Sequence, residues 1–148
     1  MTAKTLYRIA SVVFLLFAAG HTFGFLSFTP PTAEGLAVRD AMNSVHFTVR
    51  GSTFSYGAFY RGFGLSATAS MLFQAFLAWQ LGAMVSSAPR VAASIGWGLF
   101  VLQLSGVALS ILYFSLPPAI FSLAVAALVG LAAWRSAPRG RAAQSAAE

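Results

Sequence analysis

Cysteine is absent from this chain of 148 residues, and acidic residues are nearly absent as well. A chain without thiols forms no disulfide and offers no thiolate nucleophile or cysteine-bound metal. Charged residues make up 8% of the sequence, against roughly a quarter in an ordinary soluble domain. The HExxH, P-loop and GxGxxG motifs are also missing. The sequence therefore identifies neither catalytic residues nor a cofactor by motif.

Apolar residues are what the sequence holds in excess. Hydrophobic side chains account for 58% of the chain, and phenylalanine alone occurs 14 times. The nine basic residues are scattered and most of them flank apolar runs, which is typical of topology signals and anionic-lipid contacts. They form no basic face of the kind that binds nucleic acid. The composition therefore predicts an integral membrane protein whose first partner is the lipid bilayer.

Four apolar stretches approach the length of a membrane crossing, which is about 20 residues for a hydrocarbon core of roughly 30 Å. They cover about 6–28, 56–81, 91–114 and 119–134. We therefore predict an all-α fold, an up-down bundle of four transmembrane helices in a single domain over residues 1–135. Residues 136–148 are predicted to be a flexible cytoplasmic tail. A cleaved signal peptide is the main alternative for the first stretch, and the continuation of the apolar run to Phe28 argues against it.

Basic residues set the predicted orientation, because cytoplasmic loops retain an excess of lysine and arginine. With both termini inside, six of the nine basic residues lie on the cytoplasmic side of the predicted bundle. These six are Lys4, Arg8, Arg90, Arg135, Arg139 and Arg141, and the other three are Arg39, Arg50 and Arg61. We therefore predict a multi-pass membrane protein with both termini in the cytoplasm.

The segment between the first two predicted helices, about 29–55, is unusually polar for this chain. Thr32 has the residue type and position of a helix N-cap, with Glu34 following in the first turn. A short amphipathic helix is therefore predicted at about 32–46, in the first extracytoplasmic loop. Gly51 and Ser52 indicate a turn, and either Ser52 or Ser55 is expected to cap the next helix.

Seven polar residues in and around this segment form the predicted ligand site. A histidine inside a membrane helix is costly unless it faces a partner or a watered cavity. His21 is therefore expected either to hydrogen-bond to a neighbouring hydroxyl or carbonyl group or to contact a ligand. The other six are Asp40, Asn43, His46, Arg50, Tyr56 and Arg61, and the alternative for these is a solvated surface loop. Because His21 and His46 lie at different depths, a haem or metal site shared by them is disfavoured, and no metal site is predicted.

Glycines are the predicted helix-packing positions. Gly20 and Gly24 flank His21 in a GxxxG spacing, which places both glycines on one helix face. Gly98 and Gly106 belong to a stripe of small residues on the third predicted helix. Such positions allow a neighbouring helix to approach closely.

Two stretches carry a resemblance to known proteins. GHTFGFLSF at 20–28 and VRDAMNSVHFTVRGSTFSYGAFYRGFG at 38–64 resemble a group of small bacterial four-helix membrane proteins. In size and helix count the chain more distantly resembles the DoxX-like membrane proteins. The first resemblance implies a layout and carries over no site residue. The second implies a membrane redox or quinone context, by analogy of layout alone.

Three functions remain open from the sequence. The first is binding of a lipid, quinone or other apolar small molecule at the outer mouth of the bundle, where Arg50 and Arg61 would suit an anionic headgroup. The second is a structural subunit that packs against itself or a larger membrane complex through small-residue faces. The third is a membrane oxidoreductase or isomerase in which His21 or His46 transfers protons.

Overall fold

Five helices and one β-hairpin make up the computed structural model, which describes residues 1–137. Along the chain they are α1 (Ala3–Ser27), α2 (Ala33–Ser44), β1 (His46–Val49), β2 (Ser52–Ser55), α3 (Tyr56–Met84), α4 (Pro89–Tyr113) and α5 (Leu116–Ser136). Helix α2 falls within the segment where the loop helix is predicted. Of the predicted tail, residues 138–148 lie outside the described part of the chain.

Three of the long helices have the length and hydropathy of a membrane span within residues 1–137, so the predicted count of four is wrong. These three are α1, α4 and α5, with mean hydropathies of 2.0, 1.9 and 2.1. Helix α3 has 29 residues, but Arg61, Gln74 and Gln80 reduce its hydropathy, because charged and amide side chains are expensive to place in hydrocarbon. The molecule is therefore a mostly helical, membrane-embedded protein with three candidate spans.

The prediction of an all-α fold is also wrong, because β1 and β2 pair as an antiparallel hairpin. Val49 pairs with Ser52, so only Arg50 and Gly51 connect the strands. These two residues have φ values of 50° and 84°, the pattern of a type I′ turn, whose twist matches that of the strands it joins. Arg50 therefore lies at the tip of a hairpin.

Capping side chains and prolines explain where three helices begin. The Thr32 hydroxyl accepts a hydrogen bond at 3.1 Å from the amide three residues later, which confirms the predicted cap of α2. The Ser55 hydroxyl accepts the equivalent bond at 3.0 Å in α3, so Ser55 rather than Ser52 is the cap. Pro117 and Pro118 lie inside the first turn of α5, where the amide protons that proline lacks are not needed.

The described chain divides into two compact units. One, here called the helix unit, consists of Met1–Phe17 and the described residues from Phe73 onward. The other, here called the hairpin unit, is Ala18–Leu72. The largest fully buried side chains all belong to the helix unit, and they are Tyr7, Phe14, Leu81, Val125 and Val129.

Polar contacts cross between helices inside the helix unit. The hydroxyl of the buried Tyr7 donates to the carbonyl oxygen of Ala92 at 2.8 Å. The Gln103 amide donates to the side-chain oxygen of Gln74 at 2.7 Å. Interhelical hydrogen bonds of this kind contribute roughly 1 kcal/mol each in a membrane protein. They therefore help to fix the register of α1 against α4 and of α3 against α4.

Candidate functional site

All seven residues of the predicted ligand site lie in the hairpin unit. The structure brings two of them into contact, since Arg61 Nη1 donates to Asn43 Oδ1 at 3.0 Å. This bond joins the last turn of α2 to the second turn of α3. Gly57, buried in the first turn of α3, lies so close to Asn43 that a methyl group there would overlap the amide. The position of the Arg61 guanidinium is therefore set by α2.

His21 contacts the backbone of α3. Its Nε2 atom lies 3.1 Å from the carbonyl oxygen of Gly64, and its ring stacks on Phe25 with the ring centroids 5.8 Å apart and the planes 7° from parallel. A carbonyl oxygen only accepts hydrogen bonds, so Nε2 carries the proton, and Nδ1 is the acceptor in the neutral ring. His21 thus has a backbone carbonyl group as its partner, which is one of the two kinds of partner expected. A contact between His21 and a ligand stays a prediction.

Helix α1 packs closely on α3 at Gly64 in the hairpin unit. A methyl group added there would overlap the ring of Phe25. One turn later, Thr68 Oγ1 donates to the Gly64 carbonyl oxygen at 3.3 Å and lies 2.9 Å from Thr22 Oγ1. This group was not predicted from the sequence, although Thr22 directly follows His21 and a glycine lies on the facing helix.

The other predicted site residues are exposed and lie on different elements. His46 begins β1, where Nδ1 donates at 2.7 Å to a backbone carbonyl oxygen two residues earlier. Tyr56 begins α3, and its ring packs against Phe47 with centroids 4.8 Å apart. Asp40 lies on α2 and Arg50 at the hairpin tip, both exposed. The predicted ligand-site residues outside α1 are therefore spread along α2, the hairpin and α3.

An open apolar groove of about 300 Å³ lies on the hairpin unit. It is lined by Phe54, Ala58, Phe59, Gly62, Phe63 and Ser66. Phe59 packs edge-on against Phe63 with centroids 4.9 Å apart, and Phe47 packs edge-on against Phe59 at 5.5 Å. The Ser66 hydroxyl donates to the Phe63 carbonyl oxygen at 2.9 Å. The groove thus presents mainly aromatic surface, and its volume is at the lower end of the range of small-molecule sites, roughly 300–1,000 Å³.

Close helix contacts occur mostly at other glycines than the predicted ones. Among the predicted positions, Gly106 packs on α5, where an added methyl group would lie 3.2 Å from Ser122 Oγ. The other three are Gly20, Gly24 and Gly98, and nothing among the described residues lies within 4 Å of a methyl group built there. In the helix unit, close approaches occur at Gly96, where a methyl group would overlap the Tyr7 hydroxyl, and at Gly130, where it would overlap the Phe100 ring.

The two histidines of the hairpin unit already have partners. Both histidines hydrogen-bond to backbone carbonyl oxygens. Within residues 1–137, no three His, Cys, Asp or Glu side chains are grouped so that they could hold a metal ion. What the hairpin unit provides is an aromatic groove, a histidine acceptor and an arginine held in place by Asn43.

Fold and site together define a membrane-embedded helical protein with a compact unit that carries an aromatic groove. Comparison of the chain with known protein families, with curated proteins and with solved structures finds no match. The geometry of the hairpin unit is therefore the basis on which a function can be proposed.

Proposed function

We propose that this protein binds an amphipathic, largely apolar small molecule, a quinone or a lipid, in the groove of the hairpin unit. The observation that carries the proposal is the groove and its three phenylalanine rings. Phe54, Phe59 and Phe63 leave 44%, 51% and 63% of their surface exposed, so each ring offers free area to a ligand. A favourable contact between two aromatic rings contributes about 0.5–1.5 kcal/mol to the free energy of binding, in addition to the hydrophobic contribution of the area that it buries.

Polar groups of the same unit would hold the head of such a ligand. Arg61 is adjacent in sequence to Gly62 of the groove lining, and its guanidinium is bound to Asn43. A planar guanidinium is preorganised and loses less freedom for each hydrogen bond that it forms. His21 could accept a hydrogen bond at Nδ1 from a hydroxyl group. Asp40, His46, Arg50 and Tyr56 are secondary contacts in this proposal, since they are exposed along α2, the hairpin and the start of α3.

We also propose in which membrane the protein lies and on which side its termini are. The resemblance to small bacterial membrane proteins and to the DoxX-like layout supports the bacterial inner membrane and a quinone context. The Arg135 side chain donates to the carbonyl oxygen of Met1, so the start of α1 and the end of α5 lie together. We place both termini in the cytoplasm, where clustered basic residues are retained.

The test is native mass spectrometry of the protein extracted with its lipids, together with an absorption spectrum that would reveal a quinone. Phe63→Ala is expected to lower the retained ligand severalfold. Phe73→Ala is the matched control, because Phe73 lies on the same helix and is 62% exposed, against 63% for Phe63. Equal retention by the two variants would remove the groove as the site, and a His21→Ala variant with unchanged retention would remove the histidine contact.

A structural role, through packing with a second copy or a larger membrane complex, is the second candidate. It is favoured by the open space at Gly20, Gly24 and Gly98, where another helix could approach closely. Under this alternative, the same gentle extraction would yield a defined larger assembly and a groove without bound ligand.

A further inference from the structure

Basic side chains without acidic partners collect in the helix unit. Its described residues include Lys4, Arg8, Arg90 and Arg135 and contain no aspartate or glutamate. Contacts place the four at one end of the unit. A methyl group at Gly82, near the end of α3, would lie 3.3 Å from Arg8 Nε and 3.3 Å from the Lys4 carbonyl oxygen. Tyr7 bonds to Ala92 in the first turn of α4, and Arg135 bonds to Met1.

Arg8 is the most confined of these cations. Its guanidinium carbon lies 3.2 Å from the centroid of the Trp79 ring, a cation–π contact that holds the group flat. Its Nε atom is buried and has no hydrogen-bond partner within the described chain. Lys4 lies four residues earlier and therefore on the same face of α1. The protein thus presents a fixed guanidinium and a neighbouring ammonium with no anion of its own.

Helix ends at this site add to the positive potential. Helices α1 and α4 begin here, and neither has an acidic residue in its first turn. Lys4 and Arg90 instead lie in those first turns, where the helix dipole disfavours a cation. Arg135 is better placed, in the last turn of α5. No carboxylate of the described helix unit neutralises Lys4, Arg8 or Arg90.

Tryptophans mark the depth of this end. Trp79, Trp97 and Trp134 are 46%, 42% and 61% exposed. Gly96 and Ala133 are in close contact, since a methyl group at Gly96 would lie 3.0 Å from Ala133. Trp97 and Trp134 directly follow these two residues, so they lie at a similar level. Tryptophan is enriched where a membrane protein meets the lipid headgroups. The tryptophans at this end therefore favour a position of the cations at the level of the lipid phosphates.

We infer that this end of the helix unit is a binding site for the phosphate of an anionic phospholipid. Arg8 donates to the phosphate through its terminal nitrogens, Lys4 contributes a second charge, and Trp79 holds the guanidinium in orientation. Arginine suits a phosphate because its planar fork of donors matches two oxygens at once. This site lies outside the groove of the hairpin unit and does not depend on the function proposed there.

Titration of the full-length protein in mild detergent tests the inference. The probes are short-chain phosphatidylglycerol, phosphatidylcholine of the same chain length, and inorganic phosphate, with binding read by native mass spectrometry and tryptophan fluorescence. Phosphatidylglycerol is expected to bind at least about fivefold more tightly than phosphatidylcholine. Arg8→Gln is expected to weaken it about fivefold, which corresponds to ~1 kcal/mol for one cation near an anionic lipid. Arg8→Lys should lose part of this affinity, because it keeps the charge without the fork.

A matched variant tests whether the loss of affinity is specific to this end of the helix unit. Arg39→Gln, which removes one exposed cation of the hairpin unit, is expected to leave the affinity for phosphatidylglycerol unchanged. If Arg8→Gln does not fold, Lys4→Gln, a change at an exposed residue, takes its place. Equal affinity for the two lipids, or unchanged affinity in both the Arg8 and the Lys4 variants, would overturn the inference. Displacement of the lipid by inorganic phosphate at similar concentration would show a free-phosphate site and would overturn it as well.

Discussion

Replacing Gly64 with alanine is expected to loosen the packing of α1 on α3 in the hairpin unit. The added methyl group would overlap the ring of Phe25. That ring cannot simply rotate away, because one side stacks on His21 and Tyr60 lies 5.3 Å away between ring centroids. The helices must therefore separate slightly, which also lengthens the bond from His21 to the Gly64 carbonyl oxygen.

The expected change in the free energy of unfolding combines two opposing effects. Forcing an extra methyl group into a packed site costs about 1–3 kcal/mol. Alanine in a helix is more favourable than glycine by about 1 kcal/mol. The net expectation for Gly64→Ala is a loss of about 1 kcal/mol. Gly62→Ala is the matched control on the same helix, because nothing lies within 4 Å of its added methyl group, and it should gain up to about 1 kcal/mol.

The assay is reversible unfolding in mixed detergent micelles, followed by circular dichroism, for the ligand-free protein. The nitrogen chemical shifts of the His21 ring provide a second, local measurement, since Nε2 should lose its acceptor in Gly64→Ala and keep it in Gly62→Ala. Equal stability changes in the two variants would refute the close packing at Gly64. A Gly64 variant that is more stable than the unmodified protein would refute it too.

Two further predictions concern the helix unit. Gln103→Leu is expected to destabilise the protein by about 1 kcal/mol in the same unfolding assay, because it removes the bond to Gln74, and unchanged stability would contradict a structural role for this bond. The chain has no cysteine, so a single cysteine can be introduced as a label, either Thr2→Cys or Ser87→Cys. Each variant should react with a membrane-impermeant maleimide only after the cells are lysed. Labelling of either variant in intact spheroplasts would contradict a cytoplasmic location for that residue.

The helices could be predicted because their sequences are consistent over many residues. Helices α1, α4 and α5 are long apolar runs, and no packing partner is needed to recognise them. Helix α3 has a similar length, yet Gln74 and Gln80 interrupt its apolar run. Length and aromatic content favoured a span, whereas mean hydropathy did not. The error in the number of spans therefore came from giving length more weight than the polar residues that α3 contains.

The hairpin was missed although its local signal is present. Residues 46–55 contain β-branched and aromatic residues on both sides of an Arg50-Gly51 pair that suits a two-residue turn. Polarity led instead to the prediction of a loop after a short helix. The groove was missed for the same reason, because one of its walls is Phe54 of β2. Phe59 and Phe63, four residues apart on α3, supply the wall that the sequence alone could have indicated.

Close contacts between helices could not be predicted from glycine spacing. Gly20 and Gly24 have the GxxxG spacing, yet added methyl groups there would meet open space, while Gly64 packs directly on Phe25. The difference lies in what the facing helix presents at that level. A sequence pattern specifies which residues are small, but it does not specify which of them a bulky ring will meet.

The division of charge between the two units bears on what each unit binds. The hairpin unit holds both carboxylates of the described chain, Glu34 and Asp40, beside three arginines, whereas the helix unit holds basic residues only. An anionic headgroup would be repelled by the carboxylates of the hairpin unit, whereas the described helix unit has none. This difference favours Arg8 and Lys4 as the site of the headgroup. A neutral quinone carbonyl can accept hydrogen bonds from Arg61 without that repulsion. The ligand of the groove is thus expected to be neutral, and phosphatidylglycerol retained in a manner that depends on Phe63 would reverse this assignment.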